Sequence, residues 1–382
     1  MKALVHARVL TPEGFKDNQS ILFEDGLIVD ICDDRNCPDN IQDRRDMAGG
    51  MILPGLIDTQ VNGGGGILFN EVPTLEGIEK IAKAHRKFGT TGFLPTLISD
   101  DLEIVAEAID AVEQAIKAGI PGVLGIHLEG PFLNEKKRGV HDASKFLELD
   151  DRAVDLLSRL KGGKTIVTLA PEKTKSDRIK ALSQRGIIVS AGHSLASYDE
   201  SKIALDAGLR GFTHLFNAMT PLNSRAPGMI AAALEDSRAW CGIIADGHHV
   251  HPAMLRLAMR AKGEPQIFLV TDAMPSVGAV EKNFRLGPVE IDVTGGKCVT
   301  PDGTLAGSDL DMMSAVRNAM DFLNIPLEQA VVMASRTPAE FIQIQNQTGE
   351  IRAGLQADFI LVSEDLVVKE SWIKGENFPV QV

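Results

Sequence analysis

"MILPGLIDTQV", residues 51–61, is the first of eight short apolar runs, and the reading of that series decides the fold. The others are "TTGFLPTLI" (90–98), "GVLGIHLEG" (122–130), "KTIVTLAPE" (164–172), "GIIVSAGHS" (186–194), "GFTHLFNAM" (211–219), "CGIIADGHH" (241–249) and "IFLVTDAMP" (267–275). Their near-continuous hydrophobicity is that of strands buried on both faces. Amphipathic stretches lie between them, such as "LEIVAEAIDAVEQAIKAG" (102–119) and "SDRIKALSQRG" (176–186), the latter closing on a glycine suited to a helix C-cap. Eight buried strands alternating with helices specify an α/β chain of the parallel (β/α)8, TIM-type barrel class.

Both ends read differently. "KALVHARVLT" (2–11) and "QSILFEDGLIVDICD" (19–33) alternate as strands, with a hairpin signal at Asp25-Gly26, and "QADFILVSEDLVVKESWIKG" (356–375) does the same. Neither end has enough strands for a stable sheet. The economical division is a barrel over 53–345 and one small β domain built from 1–52 and 346–382. The segment "NFRLGPVEIDVTGGKCVTPDGTLAGS" (283–308) interrupts the rhythm after the eighth run. It reads as hairpin material that either extends a sheet or covers the barrel mouth.

The 382 residues are 44% hydrophobic and 24% charged, an ordinary globular balance. A net charge of −13 argues against a nucleic-acid binder but not against a small anionic ligand, for which the local field matters more. Cys32, Cys37, Cys241 and Cys298 form no CxxC pair, as expected of thiols in a reducing compartment. No signal-peptide pattern and no membrane-length apolar run is present, so the expectation is a cytoplasmic protein without membrane or nucleic-acid partners.

Chemistry in such a barrel sits at the carboxyl ends of the strands. There the sequence places His127, Glu129, His193, His214, Asn217, the "ADGHHVH" segment and Asp272. Any one of these has an ordinary reading, as a satisfied polar side chain or a helix N-cap. Glu129, His193, His214 and Asp272 together, all facing one mouth, do not. A glutamate and two histidines make a catalytic zinc shell with one position open to water. Such a metal lowers the water's pKa from about 15.7 toward roughly 7. Asp272 is then the base that takes the water's proton and returns it to a leaving amine. Hydrolysis of a C–N bond fits this apparatus.

Ten motifs carry a resemblance over essentially the whole chain: "PGLID" (54–58), "GIHLEGPFLN" (125–134), "RGVH" (138–141), "TLAPE" (168–172), "SAGHS" (190–194), "THLFNAM" (213–219), "APG" (226–228), "IIADGHHV" (243–250), "LVTDAM" (269–274) and "GTLAGS" (303–308). On these the chain resembles the amidohydrolase superfamily and, within it, the N-acetylglucosamine-6-phosphate deacetylases. The resemblance implies a barrel with a small β-sandwich domain from both termini. It also implies a homodimer that removes acetate from a phosphorylated amino sugar in amino-sugar catabolism. It implies one divalent metal per subunit on Glu129, His193 and His214, zinc first, with Fe2+, Co2+ and Mn2+ as alternatives. Asp272 becomes the catalytic base, while His141, beside Val140, contacts the sugar and polarises the acetamide carbonyl. Asn217, Ala218, Arg225 and His249 meet the phosphate, and Leu305, Ala306, Gly307 and Ser308 lie against the substrate. The resemblance leaves His249 acting either in its own chain's site or across to a neighbouring subunit's.

Many members of that superfamily carry His-x-His on the first strand, where Gln60 and Asn62 stand here. Neither amide is a good transition-metal ligand. The resemblance assigns this chain to a one-metal branch, with Gln60 free to hydrogen-bond water, substrate or neighbouring ligands. The Arg225 guanidinium suits bidentate phosphate binding, and backbone amides of Asn217 and Ala218 suit an anion nest. A second metal site at His248, His249 and His251 lacks an accompanying carboxylate or thiol. His127 is expected beneath the metal site, His6 and His85 as structural, and Lys136–Arg138 as a solvated charge run. Two alternatives stand beside this reading: the N-acetylgalactosamine 6-phosphate epimer as substrate, and a non-catalytic scaffold.

Overall fold

The computed structural model describes residues 1–380. All eight apolar runs form strands: Leu56–Val61, Thr90–Ile98, Gly125–Glu129, Lys164–Leu169, Ile188–Ala191, Leu209–Phe212, Trp240–Ile244 and Ile267–Val270. They make one parallel sheet in sequence order. A parallel bridge between Val61 and Ala273 joins the first strand to the segment after the eighth. The Asp272 amide donates to the Gln60 carbonyl at 3.0 Å and the Asn62 amide to the Ala273 carbonyl at 2.9 Å, so the barrel closes at its functional end.

A helix follows every strand, and its inward face explains why. In Leu102–Lys117 the buried residues are Val105, Ala108, Ile109, Ala111, Val112 and Ala115, an i, i+3, i+4, i+7 stripe laid on the strands. Helix Ser176–Gln184 stops at Gly186, whose φ of 83° lets the Ile187 amide turn back to the Leu182 carbonyl.

The two ends of the chain share one eight-stranded sheet. The Asp25-Gly26 turn joins Gly14–Glu24 to Leu27–Asp33 with both turn residues at positive φ, the geometry that matches strand twist. Strand Lys2–Thr11 is bulged: its start pairs with Asp43–Asp46 and its end with Met51–Pro54, which splits the sheet into two leaves. Met51–Pro54 also pairs with Phe359–Val362, tying the C-terminal strands to the N-terminal ones. One strand of the small sheet therefore runs to Pro54, two residues beyond the division at 52.

The interrupting segment becomes a four-stranded meander, Phe284–Leu286, Val289–Thr294, Lys297–Val299 and Leu305–Ser308. Its core of Ile291, Cys298 and Ala306 packs on Leu68 and Met274, and Ser308 bridges Ala273. It is anchored to the end of strand eight and covers part of the barrel mouth. Among the described residues no helix is long and apolar enough to cross a membrane.

Candidate active site

Three strand ends converge on one point. Glu129 Oε1 lies 3.1 Å from His193 Nε2 and 2.8 Å from His214 Nε2, and the two imidazole nitrogens are 3.1 Å apart. Among the described residues this is the only set of three His, Cys, Asp or Glu side chains with ligand atoms within 4.8 Å of one another. All three are buried. Burial alone would raise the Glu129 carboxyl, but the hydrogen bonds from His193 and His214 outweigh it and hold the carboxyl well below its ordinary range. Burial likewise opposes charge on His214, and the Glu129 contact overturns it, so its pKa is raised.

His193 Nδ1 sits 2.8 Å from the Lys137 carbonyl, which can only accept. Nδ1 therefore carries a proton, and with a cation in place of the Nε2 proton that meets Glu129 the ring would turn an Nε2 lone pair to the shared point. One oxygen and two nitrogens arranged this way suit a divalent cation with an open position. His193, His214 and Asp272 have φ of 48°, 34° and 54°. Left-handed backbone at three non-glycine residues of one site is strain held by the surrounding fold.

The first strand supplies amides. Gln60 Nε2 donates to Glu129 Oε2 and to Asp272 Oδ1, each at 3.1 Å, and Asn62 Nδ2 donates to the same Asp272 Oδ1 at 2.7 Å. Both Gln60 amide hydrogens are thus committed to carboxylates, leaving only its Oε1 for substrate. Asp272 Oδ2 takes no hydrogen bond among the described residues. Burial first, and the Glu129 charge second, raise the Asp272 pKa above its ordinary value.

His141 is buried beside His193, ring centroids 4.4 Å apart. The Ser99 amide at 3.3 Å and the Ser99 hydroxyl at 2.8 Å both reach its Nδ1. A backbone N–H cannot accept, so Nδ1 is the acceptor and Nε2 carries the proton. Burial, then the neighbouring His193, push its pKa down to about 3, so the ring is a neutral hydrogen-bond donor at pH 7. His127 lies deeper, as expected. Its Nδ1 meets the Thr59 carbonyl at 3.0 Å and its Nε2 the Thr168 hydroxyl at 2.7 Å, a polar floor continued through Thr213 to Ser190.

The mouth opens into a cavity of about 500 Å3. Glu129, His193, His214 and Asp272 line it, with Asn62, Val140, His141, Asn217, Ala218, His249, Leu305 and Gly307. His249 is on its own chain's wall. Its Nδ1 donates to Asp246 Oδ2 at 2.6 Å; burial is the largest single effect on Asp246 and raises its pKa, but this contact and the His248 and His249 backbone amides together lower it. Ala306 and Ser308 alternate to the other side of their strand. Ala306 packs in the meander core, while the Ser308 amide donates to the Asp272 carbonyl at 2.9 Å and so pins the strand end. Only a glycine fits at 307, where φ is 61° and a Cβ would fall 2.5 Å from Met274 Cγ.

Two placements differ from the expectation, those of Arg225 and the Asn217 amide. Arg225 is exposed on its loop and is not among the residues lining the cavity. The Asn217 amide already donates to the His214 carbonyl at 3.0 Å, so it is not free to join an anion nest. His251 caps helix Pro252–Lys262 through its Nδ1, and His248 meets the Gly295 carbonyl, so neither joins His249 in a metal cluster.

The sequence reading passed over Ser99 and Asp246, although the strand-end rule applied to strands two and seven points to both. It also passed over Asp58, which is fully buried and accepts from the Gln60 amide at 3.1 Å and from the Thr271 hydroxyl. Burial dominates its environment and raises its pKa from 3.8 to about 7. A raised folded-state pKa gives stability that is full below the unfolded value and is lost as pH rises through about 7. Asp58→Asn should therefore gain stability relative to the parent as pH rises from 4 to 7, then level off. Urea unfolding across that range checks this, and a pH-independent difference would contradict it.

Residues 51–378 match the sequence profile of the amidohydrolase family. The chain is 44% identical to the N-acetylgalactosamine-6-phosphate deacetylase of Shewanella sp. (strain ANA-3), over 97% of this chain and 94% of that protein. It is 37% identical to the N-acetylglucosamine-6-phosphate deacetylase of Vibrio furnissii, over 85% and 82%. The crystal structure of N-acetylglucosamine-6-phosphate deacetylase from Pasteurella multocida superposes with a TM-score of 0.95 at 32% identity, covering 99% of each chain. With its barrel closed over a Glu-His-His cluster, and this likeness running nearly end to end, the chain belongs to the amidohydrolase family.

Proposed function

We propose that the protein hydrolyses the acetamide of N-acetyl-D-glucosamine 6-phosphate, releasing acetate and D-glucosamine 6-phosphate. The observation that carries this is the convergence of Glu129, His193 and His214 on one point, with Asp272 held beside it at the floor of a cavity. The relatives' names supply the substrate class. A divalent cation on the three ligands, zinc first, supplies Lewis acidity and an acidified water at neutral pH.

The chain's own residues do the rest. Asp272 is anchored through Oδ1 by Gln60 and Asn62, so its Oδ2 takes the proton of the attacking water. The raised Asp272 pKa suits it to carry that proton and deliver it to the departing sugar nitrogen. His141, neutral and protonated on Nε2, donates to the acetamide carbonyl oxygen as negative charge develops there. A C–O bond forms, the C–N bond breaks, and the products are acetate and an amine. The Ala218 amide and His249 face the 6-phosphate, with Val140, Leu305 and Gly307 along the sugar.

The 44% identity to an N-acetylgalactosamine-6-phosphate deacetylase favours a second reading, in which the 4-epimer is the better substrate. One hydroxyl distinguishes the two, and pocket contacts to it set the preference. Acetate release from both 6-phosphates, compared as kcat/KM, tests the function and chooses the epimer. Release from neither, with folded and metal-loaded protein, would reject it. We further propose a cytoplasmic homodimer, its division into the barrel over 53–345 and a small domain from both ends, and Arg225 as a phosphate contact. Leu222 is exposed on the loop that carries Arg225, as is Leu195 on the loop after strand five, and both offer apolar surface to a second copy.

A further inference from the structure

Resting on the metal site of that reading, we propose that Glu172 is a positioning residue that fixes the direction in which His193 presents Nε2 to the cation. Glu172 ends the "TLAPE" motif, in the single turn Pro171–Lys173 after strand four. That strand pairs with strand three, which carries Glu129, and with strand five, which leads to His193. The Glu172 carboxylate is half-buried and is not among the groups lining the catalytic cavity. All three of its hydrogen-bond partners are neutral donors, and all three belong to the segments around His193.

These contacts reach His193 from two directions. Oε2 accepts from the Ser194 hydroxyl at 2.6 Å and Oε1 from the Leu195 amide at 2.6 Å, which holds the two residues that follow His193. Oε1 also accepts from the Asn134 side-chain amide at 2.8 Å. With its NH2 on Glu172, the Asn134 side chain turns its oxygen to the Lys136 amide at 3.0 Å. The Asn134 carbonyl accepts from the Lys137 amide at 2.8 Å, and the Asn134 amide donates to the His193 carbonyl at 3.0 Å. This turn aims the Lys137 carbonyl, which takes the His193 Nδ1 proton at 2.8 Å. One carboxylate therefore ties together the His193 backbone and the loop that sets its ring. His193 has a φ of 48°, a left-handed backbone that a histidine does not hold unaided. That conformation is imposed from outside, and Glu172 is where the imposing contacts meet. Loosening them frees Nε2 to leave the point it shares with Glu129 and His214.

The test is zinc affinity, measured by competition of the zinc-loaded protein with a chromophoric chelator, with steady-state acetate release at saturating zinc beside it. Glu172→Ala should bind zinc roughly 10- to 100-fold more weakly, the range for removing a group that orients a metal ligand. At saturating zinc it should keep the parent's KM, because the carboxylate does not line the cavity. Glu172→Gln should recover most of the affinity: its oxygen accepts from Asn134 and Leu195, and its NH2 donates to the Ser194 hydroxyl. Asn134→Ala cuts only the route through the Lys137 loop and should weaken zinc binding about tenfold. That variant decides the matter if Glu172→Ala does not fold. Parent-like zinc affinity in every folded alanine variant, even with a lowered Tm, would reduce Glu172 to a structural role and overturn the proposal. A glutamine variant as weak as the alanine one would also overturn it. A parent that binds zinc but releases acetate from neither phosphorylated epimer would reject the deacetylase reading and leave this one standing.

Discussion

Asp272→Asn should fold normally, keep its metal and lose turnover by roughly 10^3- to 10^4-fold, the upper range for removing a general base. The amide is nearly isosteric, and it replaces a group whose Oδ1 accepts from Gln60 and Asn62. Holding that arrangement requires the Asn oxygen to face the two amides, which leaves its NH2 where Oδ2 stood. A nitrogen with no lone pair cannot take the water's proton. Substrate binding should change little, so the loss should fall in kcat. Metal content by elemental analysis and acetate release over a pH series separate this from a loss of metal. A variant with kcat within tenfold of the parent would remove Asp272 as the base.

The second large effect concerns the ligands. Glu129→Gln should lower metal occupancy and cut activity by about 10^3-fold or more at ordinary metal supply, because the Lewis acid and the acidified water depend on it. Glu129 is the hub: its Oε1 meets both histidines and its Oε2 meets Gln60. Parent protein stripped by chelation should lose activity and regain it on titration, saturating at one equivalent per chain. Saturation at two would show that the amides of Gln60 and Asn62 do not close off a second position. With their N–H groups directed at Glu129 and Asp272, Gln60 and Asn62 could meet a second cation only through their amide oxygens, which are poor ligands for a transition metal.

Much of this was legible in the chain. The barrel was readable because parallel strands, buried on both faces, must be apolar throughout, and all eight runs became strands. The ligand set was readable because the carboxyl ends of those strands all open at one mouth. Strand position therefore brings together Glu129, His193 and His214 from residues 85 positions apart.

The sequence by itself determined the strand count, the order of the elements and which side chains sit at the mouth, since these follow from local hydrophobic pattern and chain direction. Which groups those side chains would meet, only the tertiary structure decided. The tautomers of His141 and His193 depend on Ser99 and the Lys137 carbonyl, partners 42 and 56 residues away. The free oxygen of Asp272 depends on amides more than 200 residues earlier. The meander's place over the mouth depends on apolar packing with Leu68 and Met274. The charge run at Lys136–Arg138, read from sequence as solvated, keeps Lys136 and Arg138 exposed, while its backbone is tied to the site because the Lys137 carbonyl meets His193 Nδ1. Arg225, proposed as a phosphate contact, lies on an exposed loop and is not among the residues lining its own chain's cavity. Hydrophobic periodicity is local and survives in one dimension, whereas hydrogen-bond partners and the sharing of a cavity are set by where the closed barrel brings distant loops.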